Sequence, residues 1–425
     1  MTVALILHYR RAARYALNVL GGAVASHPAT AGVPVRVARS PAELEAALRE
    51  AIASGRAPVV AWSFYTAGFA EAAAELAAVR RSAPGPAVHV AGGPHASADP
   101  ASVLGAGFDL AAMGEGEETL PTLVAALGAG ADPRRVAGLA WLEEGALRSS
   151  GRAPPVDLDA FPALFERLDR INPIEITRGC VWGCRFCQTP FLFKARWRHR
   201  SIPAIRRAVR QMRTLGARDV RFITPSALSY GAEGGEPNPD AVEALLAAVR
   251  EEGGEGMRVF LGTFPSELRP EHVSARALGI LRRGCDNRSI IIGAQSGSDR
   301  ILAAAGRGHD AAAVDRAVAL ALEQGFEPWV DFVFGFPGEE EADRAATRSQ
   351  LVRLAEAGAR VHAHAFMPLP GTPWAGAPAG EVDPATALLL ERLASKGRAH
   401  GPWRTQVAIA RATSAGEGSA RRSVR

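Results

Sequence analysis

Twice along this chain of 425 residues, short apolar runs alternate with helical segments. The first series places strands at residues 3–8, 33–38, 58–63, 87–91 and 108–113. Helices are expected over residues 11–25, from residue 40 onward, over 68–80 and near 118–126. Ser40-Pro41-Ala42-Glu43 reads as a capping box with proline at the first helical position, ahead of an apolar face of Leu44, Leu48 and Ile52. Apolar strands separated by helices imply an α/β fold, here a doubly wound, five-stranded parallel sheet of Rossmann-like type over residues 1–150. Residues 136–149 read as a closing hairpin. Residues 151–168, rich in proline and aspartate, read as a linker.

The second series has strands at residues 174–177, 219–223, 258–261, 288–292, 329–334 and 361–366. Its helices end at glycines such as Gly216, Gly325 and Gly358, as C-caps do. Six βα units are too few to close an eight-stranded barrel. A partial (β/α)6 barrel is therefore expected over residues 169–380, with residues 381–425 forming a C-terminal helix and a disordered tail from Arg411. In parallel β/α folds the chemistry sits at the C-terminal ends of the strands.

Directly after the first strand of this series come Cys180, Cys184 and Cys187, spaced Cys-x3-Cys-x2-Cys. Three thiolates within eight residues can converge on one metal centre. A cubane iron–sulfur cluster held by three cysteines keeps one iron open to a small molecule. A structural zinc site is the competing reading, but it wants four ligands and no local fourth is present. The one other cysteine, Cys285, precedes a strand and reads as a small buried residue. Clustered cysteines argue against a disulfide framework and for a reduced, cytoplasmic setting. No basic stretch precedes the first apolar run and no apolar stretch is long enough to cross a membrane. The net charge of +5 is spread over helices, and no base-stacking motif argues for nucleic acid.

The cysteine spacing, Phe186 before the last cysteine and the placement after strand one resemble the radical S-adenosylmethionine (SAM) superfamily. The resemblance implies a [4Fe–4S] cluster on Cys180, Cys184 and Cys187, which are also the catalytic residues. Gly293-Ala294-Gln295-Ser296-Gly297-Ser298 is similar to a segment that flanks SAM, and Gly335-Phe336-Pro337-Gly338-Glu339 to a turn near its adenine. The SAM-binding residues so implied are Phe186, Thr224, Ser226, Glu267, Gln295, Ser296, Arg307, Pro337 and Gly338. Thr224-Pro225-Ser226 departs from the Gly-Gly-Glu of many relatives. As alternatives, Glu267 could cap a helix and Arg307 could be a surface arginine.

Residues 91–95 (Ala-Gly-Gly-Pro-His) and 113–119 (Met-Gly-Glu-Gly-Glu-Glu-Thr) resemble segments of cobalamin (B12)-binding domains fused to radical SAM domains. The implied cobalamin-binding residues are Ser63, Gly92, Gly93, Pro94, His95, Gly114, Glu115, Gly116, Glu117 and Thr119. The Asp-x-His-x-x-Gly motif that ligates cobalt elsewhere is absent, so cobalamin is expected base-off without histidine ligation. His95 is placed near the corrin or its tail, with a surface histidine as the alternative. A dinucleotide site lacks its Gly-x-Gly-x-x-Gly, and a domain that has lost its ligand stays open. His362, His364 and Asp331 are placed in the substrate cavity.

The resemblance implies a cobalamin-dependent radical SAM methyltransferase. It would methylate an unactivated carbon or phosphorus by way of a 5′-deoxyadenosyl radical and methylcobalamin. The substrate expected is a small molecule or peptide, and the electron donor a flavodoxin or ferredoxin. Other radical chemistry, such as rearrangement, remains an alternative. So does a non-catalytic cobalamin or redox sensor. A methylthiotransferase-like enzyme would need a second cysteine trio, and residues 1–150 contain no cysteine.

Overall fold

A computed structural model describes residues 2–83, 85–168, 172–194 and 196–422, with side chains as far as Ala412. The chain divides into two compact units, Met1–Ile174 and Glu175–Arg425.

The first unit is built on a seven-stranded sheet: β1 (Val3–His8), β2 (Val35–Ala38), β3 (Ala57–Ser63), β4 (Val88–Gly92), β5 (Leu110–Ala112), β6 (Leu139–Glu143) and β7 (Ala146–Ser149). Its order is β2-β1-β3-β4-β5-β6-β7. The five strands expected from sequence are parallel, and the hairpin β6–β7 adds two antiparallel strands at the β5 edge. The helices are α1 (Arg14–Ser26), α2 (Pro41–Ala53), α3 (Phe69–Ser82), α4 (Pro94–Ala98), α5 (Pro100–Gly105) and α6 (Gly116–Gly128).

All six residues of β1 are buried, because helices cover both faces of the sheet. Side chains alternate between those faces. Leu5 and Leu7 join Leu17, Leu120 and Leu123 from α1 and α6. Ile6 joins Leu44, Leu48 and Leu76 from α2 and α3. Ser40 caps α2 as expected, its side chain accepting from the Glu43 N–H with Pro41 at the first helical position, but the return bond of a capping box goes one residue astray: Glu43 Oε2 accepts from the Arg39 N–H instead of that of Ser40.

Residues 151–168, read from sequence as a linker, are packed onto this unit instead. Phe165 and Leu168 lie in the core with Leu17 and Val24. A β-carbon at Gly21 would stand 2.5 Å from the Phe165 ring, so the missing side chain in α1 is what admits that ring. The physical reason is apolar: Leu158, Leu164, Phe165 and Leu168 carry surface that water would otherwise solvate.

The second unit contains β8 (Ile174–Glu175), β9 (Thr177–Arg178), β10 (Arg198–His199), β11 (Asp219–Ile223), β12 (Arg258–Phe260), β13 (Ser289–Gln295), β14 (Glu327–Phe334), β15 (Arg360–Ala365) and β16 (Ala399–His400). Its helices are α7 (Gln188–Leu192), α8 (Ile202–Thr214), α9 (Pro239–Gly253), α10 (Ala275–Gly284), α11 (Asp299–Ala304), α12 (Ala311–Glu323), α13 (Glu341–Ala357), α14 (Pro384–Ser395) and α15 (Trp403–Arg422). Strands β12-β11-β8 form one run, in which β11 and β12 are parallel, and β13-β14-β15-β16 form a parallel one. Single bridges at Thr224–Ser266 and Leu268–Ile292 join the two. This is the expected partial (β/α)6 barrel, extended by the short β16. The tail expected to be disordered from Arg411 is helical as far as Arg422 in α15, since alanine and arginine favour helix.

On β14 and β15, Val330, Phe332, Phe334, Val361, Ala363 and Ala365 are buried toward one face. Asp331, His362 and His364 therefore share the other. Gly358 ends α13 in the left-handed conformation (φ 115°), as its C-cap role requires.

Two predictions concern stability. Phe165→Ala should destabilise the first unit by about 3–5 kcal/mol, read as an earlier urea transition; an unchanged midpoint would return residues 151–168 to linker status. The second concerns His89, which is buried, accepts the Trp62 indole proton at Nδ1 (3.2 Å) and is pushed down to about 4, chiefly by burial and then by Arg80, against Asp109. The unfolded chain takes up that proton first. His89 therefore contributes stability that is complete above pH 6.5 and is lost as pH falls toward 4. The loss is about 3 kcal/mol at most, and His89→Asn, which can accept the same proton, should flatten the slope between those pH values.

Candidate active site

The cysteine loop begins where β9 ends, at the C-terminal end of the barrel's first strand segment. Gly179 has φ 84°, and a β-carbon there would stand 1.9 Å from the Arg196 carbonyl oxygen, so only glycine admits this turn. Backbone bonds then tie the loop down. Arg185 N–H donates to Ala305 O (3.0 Å) and Cys187 N–H to Cys184 O (3.0 Å). Trp182 packs under the Arg269 guanidinium, 3.8 Å from ring centroid to carbon.

Cys184 is buried, and Cys180 and Cys187 are partly buried. Burial pushes the Cys180 thiol up to about 11 and raises Cys187 as well. Arg269 opposes the rise at Cys180 and Arg307 at Cys187. Arg307 is held in place by its own bonds. Its Nη1 donates to Cys184 Sγ (3.6 Å), its Nη2 donates to Gly293 O (2.7 Å), and its Nε has no partner. Arg269 donates to the Arg307 carbonyl oxygen and is paired with Glu271 (2.5 Å). Sulfur donors in a dry pocket beside two guanidiniums fit a thiolate-ligated metal cluster, because coordination deprotonates the thiols and the cations balance them. Cys285 is buried elsewhere, its thiol pushed up to about 12 by burial.

From Arg307 a polar chain crosses the inner face of the sheet. Gly293, Asp331 and His362 are register neighbours on β13, β14 and β15. Glu267 and Asp331 are hydrogen-bonded to each other, and burial raises both well above the usual carboxylate range. Glu267 also lies near Arg307. Asp331 Oδ1 is 3.0 Å from His362 Nδ1, which is 3.1 Å from His364 Nε2. Asp331, His362 and His364 thus come together as the sequence pattern implied.

The SAM-segment residues divide. Gln295 holds φ 76° at a bulge between β13 and β14, a strained conformation for a non-glycine residue. Phe186 packs on Phe336 (5.3 Å between centroids), within an apolar group that includes Ile301, Phe366 and Trp374. Pro337 and Gly338 form the turn after β14, and Gly338 O accepts from Arg300 (2.7 Å). Thr224 Oγ1 donates to Ser226 O (2.9 Å), Ser226 Oγ accepts from Ser229 (2.9 Å), and Ser296 Oγ lies 3.4 Å from Thr347 Oγ1. These hydroxyls are occupied in shaping their own turns, because each is buried and needs an internal partner.

In the first unit, the implied cobalamin residues sit at the C-terminal ends of β3, β4 and β5. Ser63 and Gly92 end β3 and β4, and Gly93 (φ 94°) leads into Pro94, the first residue of α4. His95 is not the surface histidine of the alternative reading. It is buried, stacked on Phe69 (4.3 Å), with Nδ1 3.2 Å from Thr66 Oγ1 and Nε2 3.2 Å from Ser102 Oγ. Its neighbours fill both nitrogens. Glu115 Oε2 accepts from Val156 N–H (3.0 Å) and Thr119 Oγ1 donates to Ala137 O (3.1 Å). Gly114 N–H donates to Ser97 Oγ (3.0 Å), Gly116 lies against Leu20, and Glu117 is buried. His8 faces Glu75 (3.0 Å) and His89 faces Trp62, so the histidines of β1, β4 and α4 are all engaged.

Sequence reasoning missed Arg269, Glu271, His309, His400 and Gln406. His309 Nδ1 is 3.3 Å from Glu271, which is held down at about 2. His400 stacks on His362 (4.5 Å, 13°), and Gln406 Nε2 contacts His364 Nδ1 (3.2 Å). The alternation His362–His364 pointed to this face, but β16 and α15 carry no motif.

A doubly wound parallel sheet followed by a partial barrel with a three-cysteine loop defines the class. Residues 174–351 match the family model of the radical SAM superfamily, and residues 22–124 match that of the B12 binding domain. The chain thus carries a radical SAM domain with a B12-binding domain ahead of it. An uncharacterized protein of Methanopyrus kandleri is 26% identical over 363 residues, 71% of this chain and 65% of that protein. The tRNA-2-methylthio-N(6)-dimethylallyladenosine synthase of Pelobacter propionicus is 30% identical over 222 residues, 51% of this chain and 47% of that enzyme. The chain thus spans less than two thirds of either relative. Among solved structures, the fold is similar to TsrM, a radical S-adenosylmethionine methyltransferase from Kitasatospora setae with cobalamin and a [4Fe-4S] cluster bound. The TM-score is 0.68 at 19% identity, over 88% of this chain and 74% of TsrM. OxsB, a cobalamin-dependent S-adenosylmethionine radical enzyme with aqua-cobalamin bound, gives 0.61 at 15% identity, over 83% of this chain and 52% of OxsB. No helix among the described residues is long and apolar enough to cross a membrane.

The cysteine assignment predicts that Cys180→Ala, Cys184→Ala and Cys187→Ala each lose the iron and sulfide that anaerobic reconstitution adds. Cys285→Ala should keep them. Iron retained by the first three variants would break the assignment.

Proposed function

We propose that this chain is a cobalamin-dependent radical SAM enzyme that methylates an unactivated carbon or phosphorus of a small molecule or peptide. The observation that carries the reading is the buried Arg307 on Cys184, beside a three-cysteine loop at the C-terminal strand ends, in a chain that also has a B12-binding domain. Bound together, a [4Fe–4S] cluster and SAM supply a 5′-deoxyadenosyl radical, and cobalamin supplies a methyl carrier.

The chain's own residues hold, screen and orient. Cys180, Cys184 and Cys187 would be the cluster ligands. Arg307 balances the charge on Cys184 and fixes it against β13. Arg269 adds a second positive charge and braces Trp182 over the loop. Phe186, Phe336, Phe366 and Trp374 make a dry wall, which keeps water from a reactive radical. Gln295 keeps its strained backbone where the strand opens at the bulge, a place for contact with SAM. In the first unit, Gly92, Gly93 and Gly114 let the strand-end turns stay low, and Glu115 and Thr119 brace the β5 edge. An electron donor of flavodoxin or ferredoxin type would serve such a cluster.

The experiment is anaerobic reconstitution with iron, sulfide and cobalamin, followed by assay with SAM and a strong reductant. Corrin absorption retained after desalting, together with 5′-deoxyadenosine and S-adenosylhomocysteine, is expected. Deoxyadenosine without S-adenosylhomocysteine would sink methyl transfer and favour a rearrangement. Loss of all corrin would remove cobalamin, and neither product from an intact cluster would favour a sensor.

A further inference from the structure

We propose that Asp331, His362 and His364 form a second metal site, distinct from the cysteine loop, that binds one divalent transition-metal ion. The placement follows from strand register. Asp331 lies opposite His362 on adjacent parallel strands, and His364 is two residues further along the same face of β15. One ligand atom from each residue lies within 4.8 Å of the others. Asp331 Oδ1 to His362 Nδ1 is 3.0 Å, and His362 Nδ1 to His364 Nε2 is 3.1 Å. Ligands about 2.0–2.2 Å from one ion stand about 3 Å apart, so these separations suit a shared ion.

Proton accounting points the same way. Gln406 Oε1 accepts from the Ala365 N–H (2.9 Å), so its Nε2 faces His364 Nδ1 as a donor. A neutral His364 then carries its proton on Nε2, aimed at His362 Nδ1. Asp331 faces that same nitrogen and is also hydrogen-bonded to Glu267. One nitrogen accepts from His364 only by turning a lone pair to the Asp331 carboxylate, and serves Asp331 only by turning a proton to the His364 proton. A cation at the centre replaces the contested proton and is attractive to all three groups. Loading moves the His364 proton to Nδ1, and a Gln406 amide that turns its oxygen to accept it gives up the bond from the Ala365 N–H, a loss that a carboxylate at this position would not incur.

The surroundings are those of a braced ligand set. Glu267 holds Asp331, and His400 stacks flat on His362 (4.5 Å, 13°). Two imidazoles and one carboxylate suit zinc, cobalt, nickel or ferrous iron rather than magnesium or calcium. Three protein ligands leave room for water or an oxygen-bearing group of a substrate. The site does not depend on the cluster or on cobalamin.

The test uses full-length protein with Cys180, Cys184 and Cys187 changed to serine, stripped of metal and titrated with Co(II). One equivalent of cobalt with visible d–d absorption, displaced by zinc, is expected. His362→Ala and His364→Ala should weaken binding at least ~10-fold with unchanged circular dichroism. Gln406→Glu, whose carboxylate can accept from both Ala365 and the His364 Nδ1–H, should tighten it. If the triple variant does not fold, reconstituted wild-type protein serves instead. Its zinc content after zinc loading should fall in His362→Ala while iron stays constant. No cobalt or zinc bound, or binding indifferent to both histidine substitutions, overturns the site.

Discussion

A guanidinium sealed from water sets the terms for the second unit. Arg307 is buried, and a buried cation is tolerated only where acceptors or negative charge surround it. Its neighbours give it one sulfur, Cys184, and one carbonyl, Gly293, and leave Nε without a partner. Arg269 stands close by, and its counter-ion Glu271 is shared with His309. Two guanidiniums beside the sulfurs favour the thiolate over the neutral thiol, and the thiolate is the form a metal cluster needs.

The same arginine fixes the sheet beneath it. A β-carbon at Gly293 would stand 2.9 Å from Gln295 Nε2 and 3.2 Å from Arg307 Nη2, so glycine at this position lets both side chains lie against β13. The register then carries polarity sideways, from Gly293 to Asp331 to His362. Each step is one strand spacing. A buried polar line of this kind is stable only when every member has a partner, and the partners come from Glu267, His400 and Gln406.

Local pattern made most of the fold legible. Alternation of apolar runs and helices located both sheets, and Ser40 to Glu43 located the start of α2, because these signals act within a few residues. Long-range packing was not legible. Nothing in residues 151–168 announces that Phe165 fills the space left by Gly21, about 140 residues earlier, because a proline-rich stretch has no periodicity to read. The site divides in the same way. Cys180, Cys184, Cys187, Asp331, His362 and His364 sit in short spacings that the backbone converts directly into proximity. Arg269 and Gln406 reach it from segments without any motif.

Motif and role also separate at the edge of the first unit. Residues 113–119 were legible as a motif, yet Glu115 and Thr119 spend their side chains on Val156 and Ala137 of the same unit. His95 spends both ring nitrogens on Thr66 and Ser102. Such bonds are what burial demands of polar groups, since an unpaired one costs more than a pair contributes. A polar residue in a familiar segment is therefore as consistent with bracing the strand ends as with touching a ligand. For this chain the bracing is visible: Glu115, Thr119 and His95 each have a partner within the first unit.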